Sequence, residues 1–194
     1  MVKRSKGPEE VRFTFGRTAI FIDGDNFNGA IETLKRELGF KHVDYIERLP
    51  RVLSQGTQLL RCFYYCGERK EGEPGYEEQQ KFLMMLKRNG YRVVTKEFKE
   101  QYDREGRKRR KANLDIELTV DMLTIADHVD RIVLVSGDGD FTKIIDAVGM
   151  KGVRTCVVSL WRPPAEGGNT SPELREAADE FINLEEIIKE IVEF

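Results

Sequence analysis

The stretch AIFIDGDNFNGAI, residues 19–31, decides the fold, because a short apolar run ends in two aspartates and an asparagine. Residues 19–22 are apolar and include two β-branched side chains, which predicts a strand buried on both faces of a sheet. Asp23 then stands at the carboxyl end of this strand. Gly24 permits a tight turn, and Asn26 can cap a helix that follows. Asp and Asn are also common turn residues, so further carboxylates must converge here before the stretch indicates a site.

The composition favours a single soluble domain. A chain of 194 residues is long enough to bury a core on both faces of a sheet. It is 40% hydrophobic and 34% charged, and no apolar run approaches the roughly 18 residues of a membrane span. The start MVKRSKGPEE is basic and polar, unlike a secretory signal. We therefore expect a cytoplasmic protein without a membrane partner.

The three cysteines, Cys62, Cys66 and Cys156, all fall in strand-like runs. Their odd number and lack of framework spacing argue against a disulfide scaffold and predict buried free thiols. Cys62 and Cys66 would share one face of a strand. With two histidines and no second cysteine pair in the chain, however, a structural zinc site is disfavoured.

Strand-like and helix-like segments alternate along most of the chain. The predicted strands are AIFI, QLLRCFYYC, YRVVTKEF, RIVLVS and VRTCVVSL. Helical patterns separate them, which predicts an α/β fold, a three-layer sandwich with a mainly parallel central sheet. The final segment, SPELREAADEFINLEEIIKEIVEF, predicts one or two amphipathic helices that close the domain edge, including an acidic helix over 184–194. The sequence leaves open whether that helix mediates a homodimer.

A second strand ends in the same way as the first. RIVLVSGDGDF delivers Asp138 and Asp140 to the carboxyl edge of the sheet. Asp115 begins a third element, a helix on which it falls only about 20° outside the buried apolar stripe. Asp121 lies on the other flank of that stripe, about 9 Å further along the axis, which argues against a shared metal. Three elements thus bring carboxylates together.

Carboxylates gathered without counter-charges repel one another, and a divalent cation removes this repulsion. Mg²⁺ and Mn²⁺ prefer hard oxygen ligands and are commonly bound by a few carboxylates together with substrate phosphates. Such an ion lowers the pKa of a bound water and so generates a nucleophile. The reaction that this chemistry implies is phosphodiester hydrolysis by a metal-activated water.

A basic run precedes the helix of Asp115. Residues 104–111 carry six basic side chains and one acid, whereas residues 173–194 carry eight acids and two basic side chains. A charge run is usually a solvated loop, but this one adjoins the acidic residues and can hold a phosphate backbone. The candidate nucleic-acid contacts are Arg107, Lys108, Arg109, Arg110 and Lys111. DREG predicts a hairpin tip, and Tyr102 can stack on a base.

Three blocks, FIDGDN, KANLDIELTVD and VLVSGDGDF, occur in an order and spacing that resemble the NYN domain, in the LabA-like branch of the PIN-like nuclease superfamily. The resemblance covers roughly residues 17–160. It implies a PIN-like Rossmannoid fold and a ribonuclease that uses Mg²⁺ or Mn²⁺ to cleave single-stranded RNA. The implied metal ligands are Asp23, Asp115, Asp138 and Asp140. Asn26 would orient substrate or a bound water, and Asp25, which lies outside the required set, is expected to face solvent.

The expected domain organisation is a polar segment over 1–16 followed by one NYN domain over 17–194, with a basic insertion at 99–112 and the acidic helix 184–194. Two other functions stay open. A haloacid-dehalogenase-type phosphatase also carries DGD after its first strand, but its motif continues differently from the Asn26-Phe27 found here. The fold could also serve as a non-catalytic module that binds RNA or a protein.

Overall fold

The computed structural model describes residues 16–102, 108–163, 166, 168 and 170–194, and within 99–102 and 108–111 it describes the backbone alone. The described helices are α1 Gly24–Leu38, α2 Arg48–Ser54, α3 Tyr76–Arg88, α4 Asp115–Ala126, α5 Thr142–Met150, α6 Pro172–Ala177 and α7 Leu184–Ile191. The described strands are β1 Arg17–Asp23, β2 His42–Val43, β3 Gln58–Glu68, β4 Arg92–Glu97, β5 Lys99–Tyr102, β6 Lys108–Lys111, β7 Arg131–Val135, β8 Arg154–Ser159, β9 Glu180–Asn183 and β10 Val192–Glu193.

Six strands form the central sheet in the order β4-β3-β1-β7-β8-β9, and every neighbouring pair is parallel. This confirms the predicted α/β sandwich with a parallel sheet. The chain runs outward from β1 through β3 to β4 and then returns to place β7 on the other side of β1. The strand order therefore reverses between β1 and β7, and open sheets bind ligands beyond the strand ends at such a reversal.

The alternation of side chains along β1 separates two cores. Ile20 and Ile22 belong to the core under α1, α2, α3 and α7, whereas Ala19 and Phe21 belong to the core under α4, α5 and α6. All four side chains are fully buried, as expected for the central strand of a sheet covered on both faces. The side chain of the next residue, Asp23, therefore turns towards the side of α4.

The C-terminal segment differs from the sequence-based expectation. It contains two helices, α6 and α7, but β9 lies between them and pairs in parallel with β8. This strand is only four residues long and lies at the sheet edge, so it carries little of the apolar pattern that marks the inner strands. Helix α7 ends at Ile191 rather than running to 194, because β10 pairs antiparallel with β2.

Two further predictions concern the hairpin and the thiols. β5 and β6 pair antiparallel, which is the predicted hairpin, and its tip at 103–107 lies outside the described residues. Cys62, Cys66 and Cys156 are free and buried, as expected. None of the described helices is both long enough and apolar enough to cross a membrane.

Candidate active site

A pocket of about 300 Å³ opens at the carboxyl ends of β1 and β7 and beside the first turn of α4. Its described lining residues are Asp23, Asp25, Asn26, Tyr65, Phe98, Ala112, Leu114, Asp115, Leu118, Asp138 and Phe141. Four of these are aspartates and none is basic. The pocket thus lies at the strand-order reversal and concentrates negative charge there.

Asp23 is half-buried and accepts hydrogen bonds on both carboxylate oxygens. Its Oδ1 accepts the Asn26 N–H at 3.4 Å, which makes Asp23 the N-cap of α1. Its Oδ2 accepts the Ser136 hydroxyl at 2.9 Å. The prediction that Asn26 caps this helix is therefore wrong: the helix begins two residues earlier, and the Asn26 side chain instead accepts the Gly137 N–H at 3.0 Å.

Gly24 lets α1 begin directly behind Asp23. A Cβ at this position would lie 2.6 Å from the Tyr64 ring and 2.7 Å from the Tyr65 carbonyl oxygen, well inside van der Waals contact. A side chain here would push the helix start away from β3. The glycine therefore sets both the position of the α1 N-terminus and the direction of the Asp23 carboxylate.

The turn after β7 brings Asp138 into the pocket and leaves Asp140 outside it. Asp138 caps a short 3₁₀ turn, Gly139–Phe141, by accepting the Asp140 N–H at 3.0 Å, and its own N–H donates to the Ser136 hydroxyl at 3.2 Å. Asp140 is exposed and is absent from the described lining of the pocket. Of the two aspartates in the GDGDF block, only Asp138 joins Asp23.

Helix α4 places Asp115 in the pocket and Asp121 away from it. Asn113 accepts the Asp115 N–H at 3.2 Å and so fixes the start of the helix, while the Asp115 side chain lines the pocket. Asp121 accepts the Tyr65 hydroxyl at 2.9 Å and the Arg92 Nε at 3.4 Å. Asp121 therefore holds a tyrosine of the pocket wall rather than lining the pocket itself.

The pKa of Asp23 is raised from 3.8 to about 6, chiefly because burial removes water from its carboxylate. The hydrogen bonds from Ser136 and Asn26 oppose this rise, while the charges of Asp25 and Asp115 add to it. The pKa of Asp25 is also raised, first by loss of water, although the Gly67 N–H lowers it. Asp25 is solvent-exposed and also lines the pocket, so it stands at the mouth.

The donor set fits a hydrated divalent cation. In the part of the chain that the structure describes, no group of three or more His, Cys, Asp or Glu side chains is placed to hold a metal ion by itself. The carboxylates around the pocket nevertheless offer the hard oxygen ligands that Mg²⁺ and Mn²⁺ prefer. Mg²⁺ commonly keeps several waters and uses one or two carboxylates together with substrate phosphates. These residues suit an ion that protein and substrate hold jointly.

Four of the candidate RNA contacts lie on strand β6, which directly precedes the pocket-lining residue Ala112. Lys108–Lys111 form β6, which is followed after three residues by α4 and Asp115. The side chains of Lys108, Arg109, Arg110 and Lys111 lie outside the described part of the structure, and so do Arg107 and the ring of Tyr102. Their contact with RNA stays a prediction.

Sequence reasoning did not single out three residues of this site. Ser136 connects Asp23 to Asp138, and Tyr65 and Phe98 form part of the pocket wall. A signal for Ser136 was present, since it is the last residue of the predicted strand RIVLVS and lies two residues before Asp138. Tyr65 and Phe98 resemble ordinary strand residues, so the sequence alone carries no signal for them.

The chain belongs to the NYN domain family, because the NYN domain matches residues 17–185. This is a family of PIN-like nucleases. The chain is 34% identical over 183 residues to the Low amplitude and bright protein LabA of Synechococcus elongatus, and the alignment covers 90% of this chain and 87% of LabA. A crystal structure of a Vibrio parahaemolyticus protein of unknown function has the same fold, with a TM-score of 0.65, 24% identity and coverage of 91% of this chain and 96% of that one.

Proposed function

We propose that this protein is a metal-dependent ribonuclease that hydrolyses phosphodiester bonds of single-stranded RNA. One observation carries the proposal: Asp23, Asp115 and Asp138, from two neighbouring strand ends and one helix start, line a single pocket. The pocket lies where open parallel sheets bind ligands. Membership of a family of PIN-like nucleases supports the same class of reaction.

One or two carboxylates among Asp23, Asp115 and Asp138 would hold Mg²⁺ or Mn²⁺ together with water and a substrate phosphate. Such an ion, when bound, supplies a water of lowered pKa as nucleophile and neutralises charge on the phosphate. Asp23 is oriented in advance by Ser136 and by the first turn of α1, so little rearrangement precedes binding. Asn26, fixed by the Gly137 N–H, orients the substrate or a water. Asp140, which is exposed beside Asp138, would contribute its carboxylate to the metal site from the rim of the pocket.

The basic hairpin would supply the affinity for RNA that the acidic pocket lacks. A phosphate is repelled by four aspartates, so RNA needs cationic groups beside the pocket to approach it. Arg107, Lys108, Arg109, Arg110 and Lys111 precede α4 and would bind the backbone on both sides of the cleaved bond through counterion release. The bound ion and the basic side chains would thus both neutralise negative charge on the RNA phosphates.

Cleavage of labelled single-stranded RNA on a denaturing gel tests this function. We expect cleavage by the wild type in Mg²⁺ or Mn²⁺, none in EDTA, and a loss of about 10²-fold or more in Asp115→Asn, as when an electrostatic catalytic group is removed. Asp146→Asn is the matched control, since Asp146 is exposed on α5 and outside the described pocket lining. Equal activity of Asp115→Asn and the control would contradict the assignment.

The same experiment separates the enzyme from a binding module. A non-catalytic protein that keeps the fold would bind RNA through the hairpin and leave it intact in every metal. Cleavage that persists in EDTA would indicate a contaminating nuclease. If the wild type binds RNA but does not cleave it, the result contradicts the ribonuclease and supports the binding function.

A further inference from the structure

The pocket has an apolar side that neither a cation nor a phosphate requires. Tyr65 and Phe141 line it but are 1% exposed, so they form its floor. Phe98 lines it as well and is partly exposed. Among the described aromatic residues that line the pocket, Phe98 is the one whose side chain is partly exposed.

Gly67 sets the position of the Phe98 ring. Phe98 follows the last residue of β4, and a Cβ on Gly67 of β3 would lie 2.1 Å from its Cε1 atom. The ring therefore rests on the glycine backbone. The N–H of the same Gly67 bonds to the Asp25 carboxylate at the pocket mouth. Gly67 of β3 thus contacts both the Phe98 ring and the Asp25 carboxylate.

We propose that Phe98 is the stacking platform for one nucleobase of the RNA, next to the phosphate that is cleaved. This inference rests on the proposed function and assigns its substrate-positioning residue. A pocket of about 300 Å³ is at the lower end of small-ligand sites, which suits a single base beside a hydrated ion. A base can reach this ring only when it is unstacked, so the site selects single-stranded over duplex RNA.

Stacking predicts a base-dependent but sequence-tolerant contribution, because every nucleobase has a π face. One stacked base contributes about 5- to 150-fold in affinity, the equivalent of about 1–3 kcal/mol. Removing the base from the RNA and removing the ring from the protein should each lower the binding affinity by the same factor. Both changes together should lower the affinity no further than either one alone. A purely structural role of Phe98 would give no such dependence on the base.

A binding experiment with abasic nucleotides tests this. A labelled single-stranded 2′-O-methyl oligonucleotide is titrated with the full chain in Mg²⁺, followed by versions that each carry one abasic nucleotide, and a gel confirms that the RNA stays intact. We expect one position at which the abasic change weakens wild-type binding about 5- to 150-fold. In Phe98→Leu, which keeps an apolar side chain against the core, that penalty should disappear and intact RNA should bind as weakly as abasic RNA binds the wild type.

Two variants complete the comparison. Phe98→Tyr keeps the ring and should keep the penalty. Phe194→Leu is the matched control, because Phe194 is 61% exposed and follows β10, whose Val192 packs in the opposite core. An equal abasic penalty in wild type and Phe98→Leu, or no penalised position at all, would overturn the proposal. An Mg²⁺-loaded wild type that shows the penalty but leaves unmodified single-stranded RNA uncleaved would reject the ribonuclease and leave the base subsite standing.

Discussion

The Ser136 hydroxyl donates a hydrogen bond of 2.9 Å to Asp23 Oδ2 and joins the ends of the two strands between which the sheet order reverses. Ser136 also accepts the Asp138 backbone N–H at 3.2 Å, so one hydroxyl contacts the Asp23 carboxylate and the backbone that carries Asp138. Its bond to Asp23 stabilises the ionised form and opposes the effect of burial. The serine therefore controls both the geometry and the charge of the site.

Ser136→Ala should raise the pKa of Asp23 above about 6, because the variant loses a hydrogen bond that lowers it. A hydrogen bond to a charged group contributes about 1.5–3 kcal/mol, so a rise of about one to two pH units is expected. The affinity for Mn²⁺, measured by calorimetry across pH, should then require a higher pH than in the wild type. Ser54→Ala is the control, since Ser54 is also buried but donates to the Arg51 carbonyl on α2. A pH dependence identical in both variants would refute the role of Ser136.

Asp23→Asn should stabilise the metal-free protein at neutral pH. The pKa of Asp23 is higher in the folded chain, about 6, than its ordinary value of 3.8, so the folded state binds the proton more tightly. The contribution of Asp23 to wild-type stability therefore falls as pH rises from about 4 to about 6, by at most about 3 kcal/mol. The asparagine does not ionise and avoids this loss.

Urea unfolding in EDTA at pH 4 and pH 7.5 measures this effect. We expect Asp23→Asn to be more stable than the wild type by about 1–3 kcal/mol at pH 7.5, with the difference shrinking towards pH 4. Asp146→Asn, on the exposed face of α5, should show no such change between the two conditions. If the difference in unfolding free energy between Asp23→Asn and the wild type is the same at both pH values, burial does not raise the pKa of Asp23.

Asp121 and Asp115 lie on the same helix and should respond differently to the same substitution. Asp121→Asn weakens the bonds to Tyr65 and Arg92, which should reduce the free energy of unfolding by about 1 kcal/mol. Its affinity for divalent ions should stay close to that of the wild type. Asp115→Asn should lose most of that affinity with little change in stability. Equal loss of metal binding in both variants would contradict the pocket assignment.

Neutralising the basic hairpin should reduce the salt dependence of RNA binding. Each lost phosphate contact lowers the slope of log affinity against log salt by about 0.7 for a single strand. The four substituted residues are Arg107, Lys108, Arg109 and Arg110. A control with the same change in net charge replaces four exposed residues away from the pocket: Lys35, Lys41, Arg51 and Lys81. A slope that falls equally in both proteins would reflect net charge alone.

The inner part of the fold could be predicted because its strands are apolar runs that end in turn residues. β1 and β7 are buried along almost their whole length, which gives an unambiguous pattern. β9 could not be predicted, because its four residues are half-buried at the sheet edge and lie between two helical patterns. The local sequence of this segment is ambiguous, and it forms a strand because it pairs with β8, which is a tertiary contact.

The site shows the same division between local and tertiary information. The sequence places Asp23, Asp115 and Asp138 at element ends, and the parallel topology then brings them together. It does not separate Asp138 from Asp140, because the 3₁₀ turn that directs one inward depends on a hydrogen bond to Asp138 itself. The direction of the Asp25 side chain likewise depends on the residue at which α1 begins. Phe98 enters the pocket through contacts with another strand, which no local pattern encodes.

Parallel measurements of Mn²⁺ binding by calorimetry and of RNA cleavage at the same Mn²⁺ concentrations test the central claim most directly. In the wild type, cleavage should rise with the occupancy of the calorimetric site, and both should be lost in Asp138→Asn. Asp146→Asn should match the wild type in both. Cleavage by Asp138→Asn at the wild-type rate, or Mn²⁺ binding that the substitution leaves unchanged, would contradict a metal site among Asp23, Asp115 and Asp138.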